Sequence, residues 1–220
     1  MSDGARRAHA FLVDRGAGEL AHPGGTLLDH LGRTHRTLVG WEVPAPLASA
    51  GLCHALYGTD GFPHRLVDPA DRHVVVALVG TEAEAIIHRY ACCDRAAVTP
   101  QLGLGPTIAF RDRSTGAITD LGSADLRAFA ELTVANELDV LRHAPLTGAE
   151  RADLADLLTR CRPLVRPAAV ASIDAALGQR GRRTGAARQA PTDLGGTGPA
   201  GASRRVRRRR PEGPSPRRPG

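Results

Sequence analysis

The chain has 220 residues, a length that suits one well-buried domain with an appendage. Its formal net charge of +6 is a C-terminal property, because residues 181–220 hold 11 Arg against Asp193 and Glu212. Residues 1–180 hold 18 Arg against 21 acids, so the high pI says nothing of the folded part. No apolar run approaches the ~20 residues of a helical membrane span, which excludes that class.

Two further features predict a cytoplasmic protein. The apolar run Ala10–Val13 is too short for a signal-peptide core. Cys53, Cys92, Cys93 and Cys161 fall inside helical patterns without CxxC spacing, as reduced core thiols do.

In chain order, Ala5–Arg15 reads as a short amphipathic helix. The loop His22-Pro23-Gly24-Gly25 leads to Thr26, an N-cap residue, with Asp29 in the first turn of the helix it opens. In that helix, Leu27–Trp41, the residues Leu31, Thr34, Leu38 and Trp41 cluster on one side at about 100° per residue. His30 falls on the same side, and His35 at its boundary. Pro44 and Pro46 open Leu47–Leu56, apolar nearly all round as a buried central helix would be. His54 shares a face with Gly51, and the helix stops at Gly58.

Asp68–Leu78 and Glu82–Arg95 read as the next two helices, the second carrying Glu84, His88, Tyr90 and Asp94. Residues 107–120 break the rhythm and predict a small β-hairpin around Arg111–Gly116. Ser123 to His143 is a long helix with Leu126, Phe129, Asn136 and Val140 on its inner face. Thr147–Cys161, opened by a Thr147/Glu150 capping box, and Pro167–Leu177 are the last two.

The expected architecture is therefore all-α over residues 1–180, with a core at 5–145 and C-terminal helices at 147–178. From Gly181 no periodicity survives, and the Arg-, Pro- and Gly-rich composition predicts disorder over 181–220. Arg204–Arg210 offers nonspecific contact to nucleic acid or an acidic partner, without aromatic residues to stack on bases.

The residues that carry chemistry concentrate between His22 and Asp94. His30, His54 and Asp94 lie on three successive predicted helices that face one interior, with His22, Glu84 and His88 close behind. Neutral imidazoles with a carboxylate suit a divalent transition metal, here iron, manganese or zinc. On one helix Asp94 and His88 point about 240° apart, so the residue that completes such a site stays open. An inward histidine on a helix is more often a hydrogen-bonded core residue than a ligand, and Asp94-Arg95 equally suits a structural ion pair. His9, His35, His64, His73 and His143 read as surface or boundary residues.

An earlier histidine, then Ala-Gly-Leu-Cys-His at 50–54, then Cys-Cys-Asp-Arg at 92–95, resembles the HD superfamily. That superfamily sets H…HD…D ligands on a helical bundle and includes metal-dependent phosphohydrolases and diiron oxygenases. The resemblance implies His30, His54 and Asp94 as ligands. It departs at Ala55, which stands where the dyad has its Asp. A closer resemblance is to an HD-like subgroup catalogued as domain of unknown function 6817. Its blocks here are His-x-x-x-Thr-Leu-Leu-x-His-Leu at 22–31 and His-x-x-Tyr-Gly-Thr-x-x-Phe at 54–62. Gly-x-x-x-Glu at 80–84, Asp-Arg at 94–95 and Ala-Asn at 135–136 follow in order. In that subgroup a small residue after the motif His is usual.

The expectation is a metal-binding HD-like enzyme, hydrolase- or oxygenase-type, with His30, His54, Asp94, His22 and Glu84 as candidate ligands. His54, Tyr57 and His88 are its candidate catalytic groups, and Thr59 lines the pocket. The rivals are metal-free acid/base catalysis and a small-ligand or regulatory module with a degenerate site. A third is an interaction protein whose Arg-rich tail docks on an acidic partner.

Overall fold

The chain ties its helices together through one exceptionally buried element. In the computed structural model, which describes residues 2–186 and side chains as far as 178, that element is α7, Ser123–His143. Thirteen of its 21 residues are buried, including the polar Glu131, Thr133, Asn136, Glu137 and Asp139. A helix polar at this many interior positions needs partners for each of them; Thr133 donates back to Phe129 O within α7, and residues outside the helix serve the other four.

Those helices run in chain order as α1 (Asp3–Asp14), α2 (Leu27–Gly40), α3 (Ala45–Cys53), α4 (Arg72–Val79), α5 (Thr81–Cys92) and α6 (Arg95–Val98). After α7 come α8 (Gly148–Cys161) and α9 (Pro167–Ala186). Two antiparallel ladders complete the described residues. One joins β1 (Ala21–His22) to β2 (Gly25–Thr26); the other joins β3 (Ile108–Arg111) to β4 (Ile118–Leu121). The all-α class and the hairpin near 107–120 are as the sequence predicts, while the β1–β2 ladder carries no signal of its own. No helix among the described residues is long and apolar enough to cross a membrane. The four cysteines are unpaired, and Cys53, Cys93 and Cys161 are buried.

Local chemistry fixes the helix that matters most. Thr26 Oγ1 accepts the Asp29 N–H, while Asp29 Oδ2 accepts the Thr26 N–H, so a capping box starts α2. The buried face of α2 is Leu27, His30, Leu31, Thr34, His35 and Leu38. Against it packs α3, whose Gly51 permits the approach: a Cβ there would sit 2.3 Å from Leu38 Cδ1. The space beside Gly51 thus belongs to α2, not to the face of His54.

Several boundaries differ from the pattern-based expectation, among them three helix ends. Helix α3 ends at Cys53 rather than Leu56, because the His54 ring turns back to donate from Nδ1 to the Gly51 carbonyl at 2.9 Å. Helix α5 stops at Cys92, where the β3–β4 hairpin docks: Arg113 N–H reaches Cys92 O and Asp94 N–H reaches Arg111 O. Asp94 then begins α6, its Oδ1 accepting the Ala97 N–H. Helix α9 extends to Ala186, past the predicted end at Leu177, and the rest of the predicted disordered stretch, with Arg204–Arg210, lies outside the described residues.

Candidate functional site

Two histidines meet in the interior because α2 delivers one and the end of α3 delivers the other. His30 and His54 are each 2% exposed, and their Nε2 atoms lie 3.3 Å apart. His30 Nδ1 lies 2.7 Å from Asp139 Oδ2 of α7. His54 Nδ1 is held by the Gly51 carbonyl. Both Nδ1 partners only accept, so both Nδ1 atoms carry the hydrogen and both Nε2 atoms turn a lone pair towards each other.

A third acceptor joins them. Asn136 Oδ1 sits 3.1 Å from His30 Nε2, and its orientation is fixed because Nδ2 donates to Glu137 Oε1. Three acceptors therefore converge with no donor between them. A cation, a proton or a donor group of a bound molecule placed among them would satisfy these acceptors.

The surroundings keep the geometry in place. Asp139 accepts from Arg33 Nε at 2.6 Å as well as from His30, and Arg33 also donates to the Pro23 and Gly24 carbonyls. One guanidinium thus ties the β1–β2 turn to the carboxylate that orients His30. The turn lays His22 over His30, rings stacked at 4.2 Å between centroids, and leaves His22 Nδ1 buried without a partner. Burial alone would raise the Asp139 carboxyl, but hydrogen bonds from His30 and Arg33 outweigh it and hold it well below the usual range. Burial, reinforced by nearby His30, pushes His54 down to about 3 and His22 down to about 4.

These groups open onto a cavity of about 220 Å³ walled also by Ala55, Thr59, Phe62, Arg95 and Glu137. Gly58, at φ +72°, turns the chain after His54 so that Thr59 and Phe62 pair through their backbones on the cavity wall. Arg95 donates to Glu137 Oε1 at 3.0 Å and to the Tyr90 hydroxyl at 2.9 Å, a fixed cation on that wall.

Of the residues singled out from sequence, His22, His30, His54 and Thr59 come together here; Glu84, His88, Tyr57 and Asp94 do not. Glu84 Oε1 accepts from Tyr57 OH at 2.9 Å and from Arg72 Nε, while Oε2 accepts from Arg72 Nη2 at 2.6 Å. His88 packs edge-on near the Tyr57 ring, its pKa lowered by burial and by Arg72. Asp94 is spent as the α6 cap and lies 3.5 Å from Arg111 Nε. The expectation placed it on a continuous helix to Arg95, and the break at Cys92 re-aims it.

Sequence reasoning left Asn136, Glu137, Asp139, Arg33 and Arg95 out of the site. Asn136 had a signal, a polar residue on the inner face of a long helix. Asp139 and Arg33 had none, since each reads as an ordinary surface charge.

Residues 11–95 match the family model described as Domain of unknown function (DUF6817). The matched stretch contains His22, His30, His54 and Arg95, whereas Asn136, Glu137 and Asp139 lie outside it. No curated protein and no solved structure matches the chain.

Proposed function

We propose that the chain is a metal-dependent enzyme of HD-like architecture acting on a small molecule in the 220 Å³ cavity. The convergence of His30 Nε2, His54 Nε2 and Asn136 Oδ1 carries this reading. Donor spacing supports it: adjacent ligands of a tetrahedral ion with bonds of about 2.0–2.1 Å stand roughly 3.3–3.4 Å apart, and the two imidazole nitrogens are 3.3 Å apart. The Asp139–His30 hydrogen bond is the usual support behind a ligating imidazole, fixing tautomer and raising basicity. Among the described residues no three His, Cys, Asp or Glu side chains gather as a ligand set. The third protein donor is therefore the Asn136 amide oxygen, with His22 adjacent.

A divalent metal held there would act as a Lewis acid on a substrate oxygen and lower the pKa of water. The chain's own groups do the rest. His22, kept neutral by burial down to about pH 4, is a weak proton acceptor on the cavity wall, with only the Pro23 backbone near its ring as a competing partner. Arg95 offers a positive wall to an anionic substrate group, and Glu137 with Tyr90 keeps it from swinging away. Ala55 leaves the wall beside His54 without a carboxylate, so substrate rather than protein fills that side.

Elemental analysis of protein grown with iron, manganese and zinc tests the reading. Near-stoichiometric metal lost in both His30→Ala and His54→Ala is the expected result, and iron would direct the activity screen to oxidation, zinc or manganese to hydrolysis. Metal-free wild type would overturn it. The second reading, a small-ligand module without turnover, is favoured by the same 3.3 Å contact, which also suits a proton shared between the imidazoles. Saturable ligand binding by metal-free protein, with no product formed, would establish it.

A further inference from the structure

On the opposite side of α2 lies a second, larger groove of about 1070 Å³ that shares no lining residue with the histidine cavity. We infer that it binds a single-chain amphipathic carboxylate of the fatty-acid class.

Small residues open the groove. Gly32 and Gly40 of α2 and Ala45, Ala48 and Ser49 of α3 lie on its lining, so five positions there project little side chain or none. Larger apolar residues line it: Leu28 and Val39 from α2, Val43 from the α2–α3 connection, and Leu52 from α3. Val39 is 51% exposed, one of few large apolar side chains left so accessible. A volume of this size is at the upper end of ligand pockets, and its lining mixes apolar side chains with polar ones.

The ionisable groups are mostly basic. His9 of α1 and His35 and Arg36 of α2 line the groove. The Arg36 guanidinium folds back along its helix, its Nη1 3.4 Å from where a Gly32 Cβ would be, so the missing side chain is what keeps the charge in the groove. His35, 9% exposed, donates from Nδ1 to Ala48 O, which leaves Nε2 for a ligand proton or water. The one acid on the lining, Asp29, is committed to the Thr26 cap through Oδ2. Arg33 lines the groove with its stem, while its guanidinium is taken by Asp139 and two carbonyls. Arg36 makes no ion pair among the described residues, only a longer-range interaction with Asp29, and beside the apolar side chains of the groove it matches a carboxylate head with an alkyl tail. An uncharged chain would leave Arg36 unused, and a bare anion would leave the trough uncovered.

Decanoate, kept below its micellar concentration, is the probe, titrated into the full chain by calorimetry and by fluorescence of Trp41. This is the chain's single tryptophan, adjacent in sequence to Gly40 of the groove. The expected result is saturable 1:1 binding, weakened at least tenfold by Arg36→Gln and abolished by Val39→Asp. Both substitutions are at exposed positions, and unchanged melting temperatures verify the fold. Decanol should bind at least tenfold more weakly than decanoate. Absence of saturable binding, equal affinity for decanol, or indifference to both substitutions would overturn the inference. So would binding seen only with anionic phospholipid vesicles, which would make the groove a membrane-surface contact.

Discussion

Two buried polar clusters lie a few residues apart in sequence, and they solve the problem of interior polarity in opposite ways. Around Glu84, donors and acceptors balance: the forked Arg72 guanidinium and the Tyr57 hydroxyl saturate one carboxylate, and that cluster's charge is closed. Around His30 and His54, acceptors outnumber donors, a neighbouring His22 nitrogen is left without a partner, and a cavity opens beside them. A balanced cluster is a structural device. An unbalanced one keeps a place for something else, because each buried unpaired polar atom costs about 1–3 kcal/mol until a partner arrives.

The sharpest way to break the comparison is to unbalance the closed cluster. Glu84→Ala removes the acceptor from buried Tyr57 and from Arg72, whose half-exposed end softens the loss; urea denaturation should show about 3 kcal/mol destabilisation. Metal content should stay at the wild-type level. If metal is lost from a folded Glu84→Ala protein, the two clusters are one site.

The open cluster should respond in the other sense. Asp139→Asn keeps the shape but weakens the hold on His30 Nδ1 and Arg33, and metal affinity should fall about 10–100-fold by competition with a chelator. Unchanged affinity would remove His30 from the ligand set.

Acid should also separate the clusters in metal-stripped protein. His54 stays neutral in the fold down to about pH 3, while the unfolded chain takes up that proton near 6.5. Between those values the unfolded state binds more protons, so stability falls as pH drops through this window, at up to about 1.4 kcal/mol per pH unit for this group. His54→Gln should flatten that slope in denaturation curves taken between pH 7 and 5. An identical slope would show that His54 does not titrate as its burial implies.

The smallest effect belongs to Asp94. Its replacement by Ala should cost about 1 kcal/mol as a lost helix cap and leave metal binding intact. Loss of metal from that variant would restore the carboxylate the sequence pattern favoured.

The sequence by itself determined the helical class, the Thr26 N-cap, the Thr147 capping box, the β3–β4 hairpin, and the inward direction of His30. Periodicity and capping are local, so a run of ten to twenty residues suffices to read them. It also singled out His30 and His54, because histidines in apolar helical surroundings stand out residue by residue, and His22 in the loop before α2. Tertiary structure decided everything that depends on where one helix stops against another. Docking of the β3–β4 hairpin ended α5 at Cys92 and spent Asp94 on a cap, while Arg72 claimed Glu84 from across a turn. The carboxylate and amide that do reach the histidines, Asp139 and Asn136, come from α7, more than one hundred residues along the chain from His30. Charge on a helix surface carries no mark of the partner it will meet, so only the packing of α7 against α2 and α3 could assign them.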